Sequence, residues 1–188
     1  MKRLQLFITV FILITLISCG NGTSNQPHTA AGFGSIEKEF KSKFGKDAYY
    51  TDIHISYNDN IGNIVTLTVT EDPASLKMEQ WNLAQNSWTQ AAEVTLEIPG
   101  DSKATDFMFQ LNEKINLTKF GRLVEKSSKQ LIDEKDIENP ALFSALFKYP
   151  KDGDISDAQY NVSLKPENGG ATFHFYYTLD EELIKMDY

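Results

Sequence analysis

The chain has 188 residues, with 18 Lys and Arg against 26 Asp and Glu, a formal charge of −8. That balance argues against nucleic acid and against an anionic membrane surface as partner, because phosphate contact needs clustered Lys and Arg. The single cysteine excludes an internal disulfide, and 12 Phe, 8 Tyr and 2 Trp supply bulky core material for one domain or two small subdomains.

At the N-terminus Lys2 and Arg3 precede an apolar run from Leu4 to Ile17, which ends in Leu16-Ile17-Ser18-Cys19-Gly20. The run is too short to cross a bilayer, which takes about 20 residues, and suits the apolar region of a signal peptide. This stretch resembles the signal of bacterial lipoproteins, with Leu16 at −3, Ser18 at −1 and Cys19 at +1. The resemblance implies cleavage before Cys19, diacylglycerol on its thiol and a fatty acyl chain such as palmitate on the new amino group. No thiol would then remain as a nucleophile or metal ligand. Gly20, in place of an acidic residue, implies an outer-membrane location facing the periplasm. The expected organisation is a signal peptide over 1–18 and a lipidated flexible tether over 19–34, rich in Gly, Ser, Thr and Asn, in which His28 would be solvated. Lys2 and Arg3 are the only charged residues of 1–18, so their removal takes the formal charge from −8 to −10.

Beyond the tether, two α+β units are expected over 35–111 and 112–188, either separate or as one continuous domain. Ile36, Phe40 and Phe44 form a helical stripe from Ser35, the expected N-cap, to Gly45. Residues 53–79 and 160–187 read as a repeat of three strands. Ile53, Ile55 and Tyr57 alternate with polar residues, as do Tyr160, Val162 and Leu164. Turns rich in Asn and Gly follow each trio. Val65, Leu67 and Val69 then correspond to Phe173, Phe175 and Tyr177. Between the copies, strands are predicted over 92–98 and 106–111. A second helix spans about Leu117 to Ile132 on a stripe of Leu117, Phe120, Val124, Leu131 and Ile132, with Gly121, Ser127 and Ser128 beside it. Close packing of that helix against the sheet would call for those small residues, and solvent exposure would explain the serines equally well. A third helix is predicted over Pro140 to Phe147. The expected fold class is α+β: an antiparallel meander sheet with helices on one face, in tandem helix-plus-three-strand units.

No catalytic constellation declares itself. His54 and His174 fall on the polar faces of their strands, outside any zinc-binding spacing, and there is no nucleophile elbow. The acidic run from Lys151 to Asp157 lacks the glycine and glutamate of a calcium loop. Neither a metal nor a cofactor is expected. His54, Trp81, Trp88, His174 and Tyr176 are the candidate binding face, with the two tryptophans flanking a polar hairpin from Asn82 to Ser87.

The expected function is that of a membrane-anchored, non-enzymatic protein-binding module of inhibitor or immunity type. Its layout of tandem helix-plus-meander units resembles PepSY-like and β-lactamase-inhibitor-like periplasmic proteins, which implies binding through the sheet face. Two alternatives stand beside it. One is a carrier of a small apolar ligand, with a pocket of Phe107, Phe109, Phe143 and Phe147. The other is an envelope hydrolase using paired carboxylates.

Overall fold

The computed structural model describes residues 22–188; Cys19 and the signal segment lie outside them. Among the described residues the architecture is α+β, with two α-helices and nine antiparallel strands in one sheet. Helix α1 (Ala30–Phe44) leads into β1 (Tyr49–Asn58), β2 (Gly62–Thr70), β3 (Lys77–Ala84) and β4 (Ser87–Thr95). A short β5 (Phe109–Gln110) precedes α2 (Leu117–Lys135), and β6 (Pro140–Lys148), β7 (Gln159–Pro166), β8 (Phe173–Tyr177) and β9 (Leu183–Asp187) complete the chain. The strand order is β4-β3-β2-β1-β6-β7-β8-β9, with β5 beside the start of β1. Two four-stranded meanders therefore meet at the centre through the β1–β6 pair, in which Asp52 faces Lys148 and Ser56 faces Ser144.

Alternation builds the core. Ile53, Ile55, Val65 and Leu67 from the first meander are buried, as are Phe147, Tyr160, Val162, Leu164, Phe175 and Tyr177 from the second. Against them pack Phe33, Ile36 and Phe40 of α1 and Leu117, Phe120, Leu123 and Leu131 of α2. The helices lie side by side and cap one another. Glu37 of α1 accepts from the Leu117 amide (2.7 Å), and Glu125 of α2 accepts from the Ala30 amide (3.3 Å). Each carboxylate thus sits at its neighbour's positive end. A Cβ on Gly121 would overlap the Thr29 carbonyl, so the close approach at that glycine is to the start of α1. Ser127 is buried and its hydroxyl bonds Tyr177 Oη of β8 at 2.7 Å, a helix–sheet contact.

Several expectations need correction. The helix predicted over Pro140–Phe147 is strand β6. A bulge between Leu142 and Ser144 shifts its register, so the buried residues fall at Leu142, Ala145 and Phe147 and imitate a helical spacing. Helix α1 begins at Ala30, with Thr29 as N-cap accepting from Gly32, while Ser35 donates to the Ala31 carbonyl inside the helix. Ile132 is 48% exposed, off the buried stripe of α2. The strand expected over 106–111 shrinks to two residues, because Phe107, Met108 and Phe109 are buried in succession and do not alternate. The three-strand repeat sets β1-β2-β3 against β7-β8-β9, yet β1 is central and pairs with β6, whereas β7 lies one strand out.

The residues expected as a tether also differ from residue 22 onward. Thr23 and Ser24 are buried in a short 3-10 turn. The Ser24 amide donates to Asn86 Oδ1 (3.0 Å), and the Asn86 amide donates to Ser24 Oγ (3.1 Å). Asn63, fully buried, donates to the carbonyls of Thr23 (3.0 Å) and Gln26 (2.8 Å). His28, expected in solvent, bonds Asn63 Oδ1 through Nε2 at 2.8 Å and packs edge-on against Tyr57. Residues 22–29 form a strap stitched to the β1–β2 and β3–β4 turns.

Candidate functional site: the open face of the sheet

Both helices cover one face, so every second residue of the central strands points the other way. Register sets these outward residues in rows. His54 of β1 faces Leu146 of β6, Leu146 faces Asn161 of β7, Asn161 faces Tyr176 of β8 and Tyr176 faces Lys185 of β9. The adjoining row runs Ser56, Ser144, Ser163, His174 and Asp187. Between the rows lies a shallow groove of about 170 Å³, lined by His54, Ser144, Asn161, Ser163, His174 and Tyr176 among others.

The groove mixes polar groups with the apolar surface of Leu146, Val162 and Phe175 and is partly shielded. Burial lowers the His54 pKa from 6.5, and nearby Asp52 opposes that shift, so the imidazole is neutral at neutral pH and offers one donor and one acceptor. Ser163 Oγ and His174 Nδ1 are 2.8 Å apart, which fixes the ring of His174. Asn161 Oδ1 is buried and has no hydrogen-bond partner among the described residues. A shielded acceptor of this kind costs free energy until something donates to it. Lys185 Nζ lies 4.4 Å from the centre of the Tyr176 ring and bonds Asp187 at 2.7 Å. Imidazole, amide, hydroxyl and a cation-capped aromatic ring together suit recognition of a polar surface. Among the described residues no three His, Asp or Glu side chains converge to hold a metal ion.

The structure brings together His54, His174 and Tyr176 and separates them from Trp81 and Trp88. The tryptophans lie on the helix side, where Trp88 meets Phe40 and Phe44, and Trp81 meets Phe44. Trp88 Nε1 donates to Glu39 of α1 (2.9 Å) and Trp81 Nε1 to Glu79 (2.8 Å). They anchor α1 to the β3–β4 hairpin. The four phenylalanines of the carrier reading do not share a pocket: Phe107, Phe109 and Phe147 are buried, and Phe143 is 46% exposed with Lys165 over its ring. Two carboxylates, Glu79 and Glu93, stand opposite one another across β3 and β4. Glu79 is engaged by Trp81 Nε1.

Asn161 and Ser163 escaped the sequence reading. The alternation that assigns Tyr160, Val162 and Leu164 to the core sends both of them outward, and that was the available signal.

No protein-family model matches the chain, and neither the curated proteins nor the solved structures give a significant match. Among the described residues no helix is long and apolar enough to cross a membrane.

Proposed function

We propose that this protein is an envelope lipoprotein, acylated at Cys19 and facing the periplasm from the outer membrane, that binds another protein through its open sheet face without catalysing a reaction. One observation carries the binding reading: among the described residues both helices lie on one face, and the other holds a groove whose Asn161 oxygen lacks a donor. A partner's backbone N–H or hydroxyl would donate to that oxygen, with Tyr176 supplying aromatic contact at the groove's rim. The anchor reading rests on the sequence from Lys2 to Gly20.

The fold also supports descent from a duplicated unit of one helix and four strands. Helix α1 with β1 to β4, and α2 with β6 to β9, follow the same order and run outward from the central pair. A gene encoding either half, tested for assembly into a symmetric pair, addresses this; two halves that never associate would count against it.

Binding is tested by affinity capture from envelope extract with residues 20–188 as bait, using the wild type, Tyr176→Ala and Trp88→Phe. The expected result is a partner retained by wild type and Trp88→Phe and lost with Tyr176→Ala. Equal capture by all three, or turnover of a substrate panel by the purified chain, overturns the reading. Acylation is tested by labelled palmitate, which Cys19→Ala should fail to incorporate.

A further inference from the structure

The strap fixes where an anchor at Cys19 must hold the molecule. Its first described residue, Gly22, lies so close to Asn86 that a Cβ there would overlap the amide group. From Cys19 to Gly22 there are three peptide links, which span at most about 11 Å when fully extended. The described strap begins at one end of the strands. That end also carries the β1–β2 turn at 59–61, the β3–β4 turn at Gln85–Asn86, the last turn of α2, the β7–β8 turn at 167–172 and Tyr188.

Three large apolar side chains are exposed there: Ile61 at 36%, Ile132 at 48% and Tyr188 at 77%. Lys135 Nζ lies 5.3 Å from the centre of the Tyr188 ring, an aromatic and a long cation side by side, as suits a membrane interface. Asp59 and Glu167 line the cleft beside Ile132, which disfavours an anionic lipid surface.

We infer that this end of the sheet rests on a zwitterionic bilayer, with Ile61, Ile132 and Tyr188 at the headgroup level. The inference rests on the acylation of Cys19 proposed above. The strands then rise away from the lipid and the open face stands upright, so that His54 and Tyr176 meet a partner from the side. Two other candidates, the free edge of β9 and the cleft beside Met78, have nothing in the structure that names an occupant.

The test couples the Cys19 thiol of residues 19–188 to a maleimide phospholipid in phosphatidylcholine–phosphatidylethanolamine vesicles. A photo-crosslinking amino acid replaces Ile61, Ile132 or Asp101, the last at the opposite end of the strands. The expected result is roughly tenfold more crosslinked phospholipid from positions 61 and 132 than from 101, because the leash raises their local lipid concentration. A Gly-Ser spacer of about twelve residues after Gly20, spanning roughly 20 Å, should lower the yield at 61 severalfold. Equal yields at 61 and 101, or a yield at 61 that the spacer leaves unchanged, overturns the inference. Because the lipid is attached chemically, this outcome is independent of acylation in cells, which the palmitate experiment reads by itself.

Discussion

Strands β2 and β7 hold equivalent places in the sheet, each one removed from the central β1–β6 pair, and each carries an asparagine. Asn63 of β2 is fully buried and makes three hydrogen bonds, all to the strap. Asn161 of β7 looks onto the open face, and its side-chain oxygen has no partner among the described residues. The same amide chemistry is spent on closing the molecule in the first half and left available in the second. Similar scaffolds thus enclose one asparagine in a fastening and leave the other's oxygen open on the sheet face, depending on what lies within about 3 Å of one side chain.

The largest test of that contrast is Asn63→Ala. It removes the side-chain donor to the Thr23 and Gln26 carbonyls and the acceptor of His28, three hydrogen bonds in all, for an expected loss of about 2–4 kcal/mol in urea denaturation. Amide exchange should accelerate in residues 22–29 and the start of β2, while β7 and β8 keep their protection. Equal acceleration in both halves would erase the distinction.

Next is Gly121→Ala. Alanine gains about 1 kcal/mol in helix propensity, but the new methyl meets the backbone of Thr29, which cannot swing aside. Overpacking should win, with a net loss of about 1–3 kcal/mol by thermal or chemical denaturation. A stabilised variant would mean that the two helices separate easily and that the strap does not depend on their contact.

A smaller effect comes from pH. Burial lowers the pKa of His28 from 6.5, against the opposing bond from Asn63. The unfolded chain therefore binds a proton that the folded chain refuses. Stability is full above about pH 6.5 and falls as pH drops toward the depressed folded value. His54, lowered in the same direction, adds to the slope. His28→Gln, which can still donate to Asn63, should flatten part of the decline between about pH 7 and 5. An unchanged slope would place the titration elsewhere.

The smallest effect is expected on the open face. Tyr176→Ala should change stability by no more than about 0.5 kcal/mol, since its contacts are with Lys185 and the groove. A loss above about 1 kcal/mol would make Tyr176 a packing residue and weaken the contrast with Asn63.

The sheet was legible where alternation was clean. Ile53-Ile55, Val65-Leu67, Tyr160-Val162-Leu164 and Phe173-Phe175-Tyr177 all point inward as their period-two pattern required. β6 was hidden because its bulge stretches Leu142 to Ala145 into a helical step, which local pattern cannot separate from a true helix turn. The strap was hidden for a different reason. Gly, Ser, Thr and Asn make a flexible linker unless buried partners bind their backbone, and those partners, Asn63 and Asn86, lie 37 to 62 residues away. Of the candidate binding face, His54, His174 and Tyr176 could be placed from strand parity alone. Trp88 could not, since Ala91 of β4 falls out of register and turns Trp88 and Val94 to opposite faces, while Trp81 shares the parity of buried Leu83 in a strand that was read only as far as Glu79.

Both ends of the strand order, β4 and β9, leave their outer edges without a neighbour among the described residues. Copies held upright on one surface would share an orientation, and sideways diffusion would bring the β4 of one against the β9 of another, the geometry that extends a sheet into a filament. Exposed Glu93 in β4, and Lys185 with Asp187 in β9, stand on those edges. Pairing there would strip water from three charges. Charges placed on the last strands thus oppose edge-to-edge growth of the sheet.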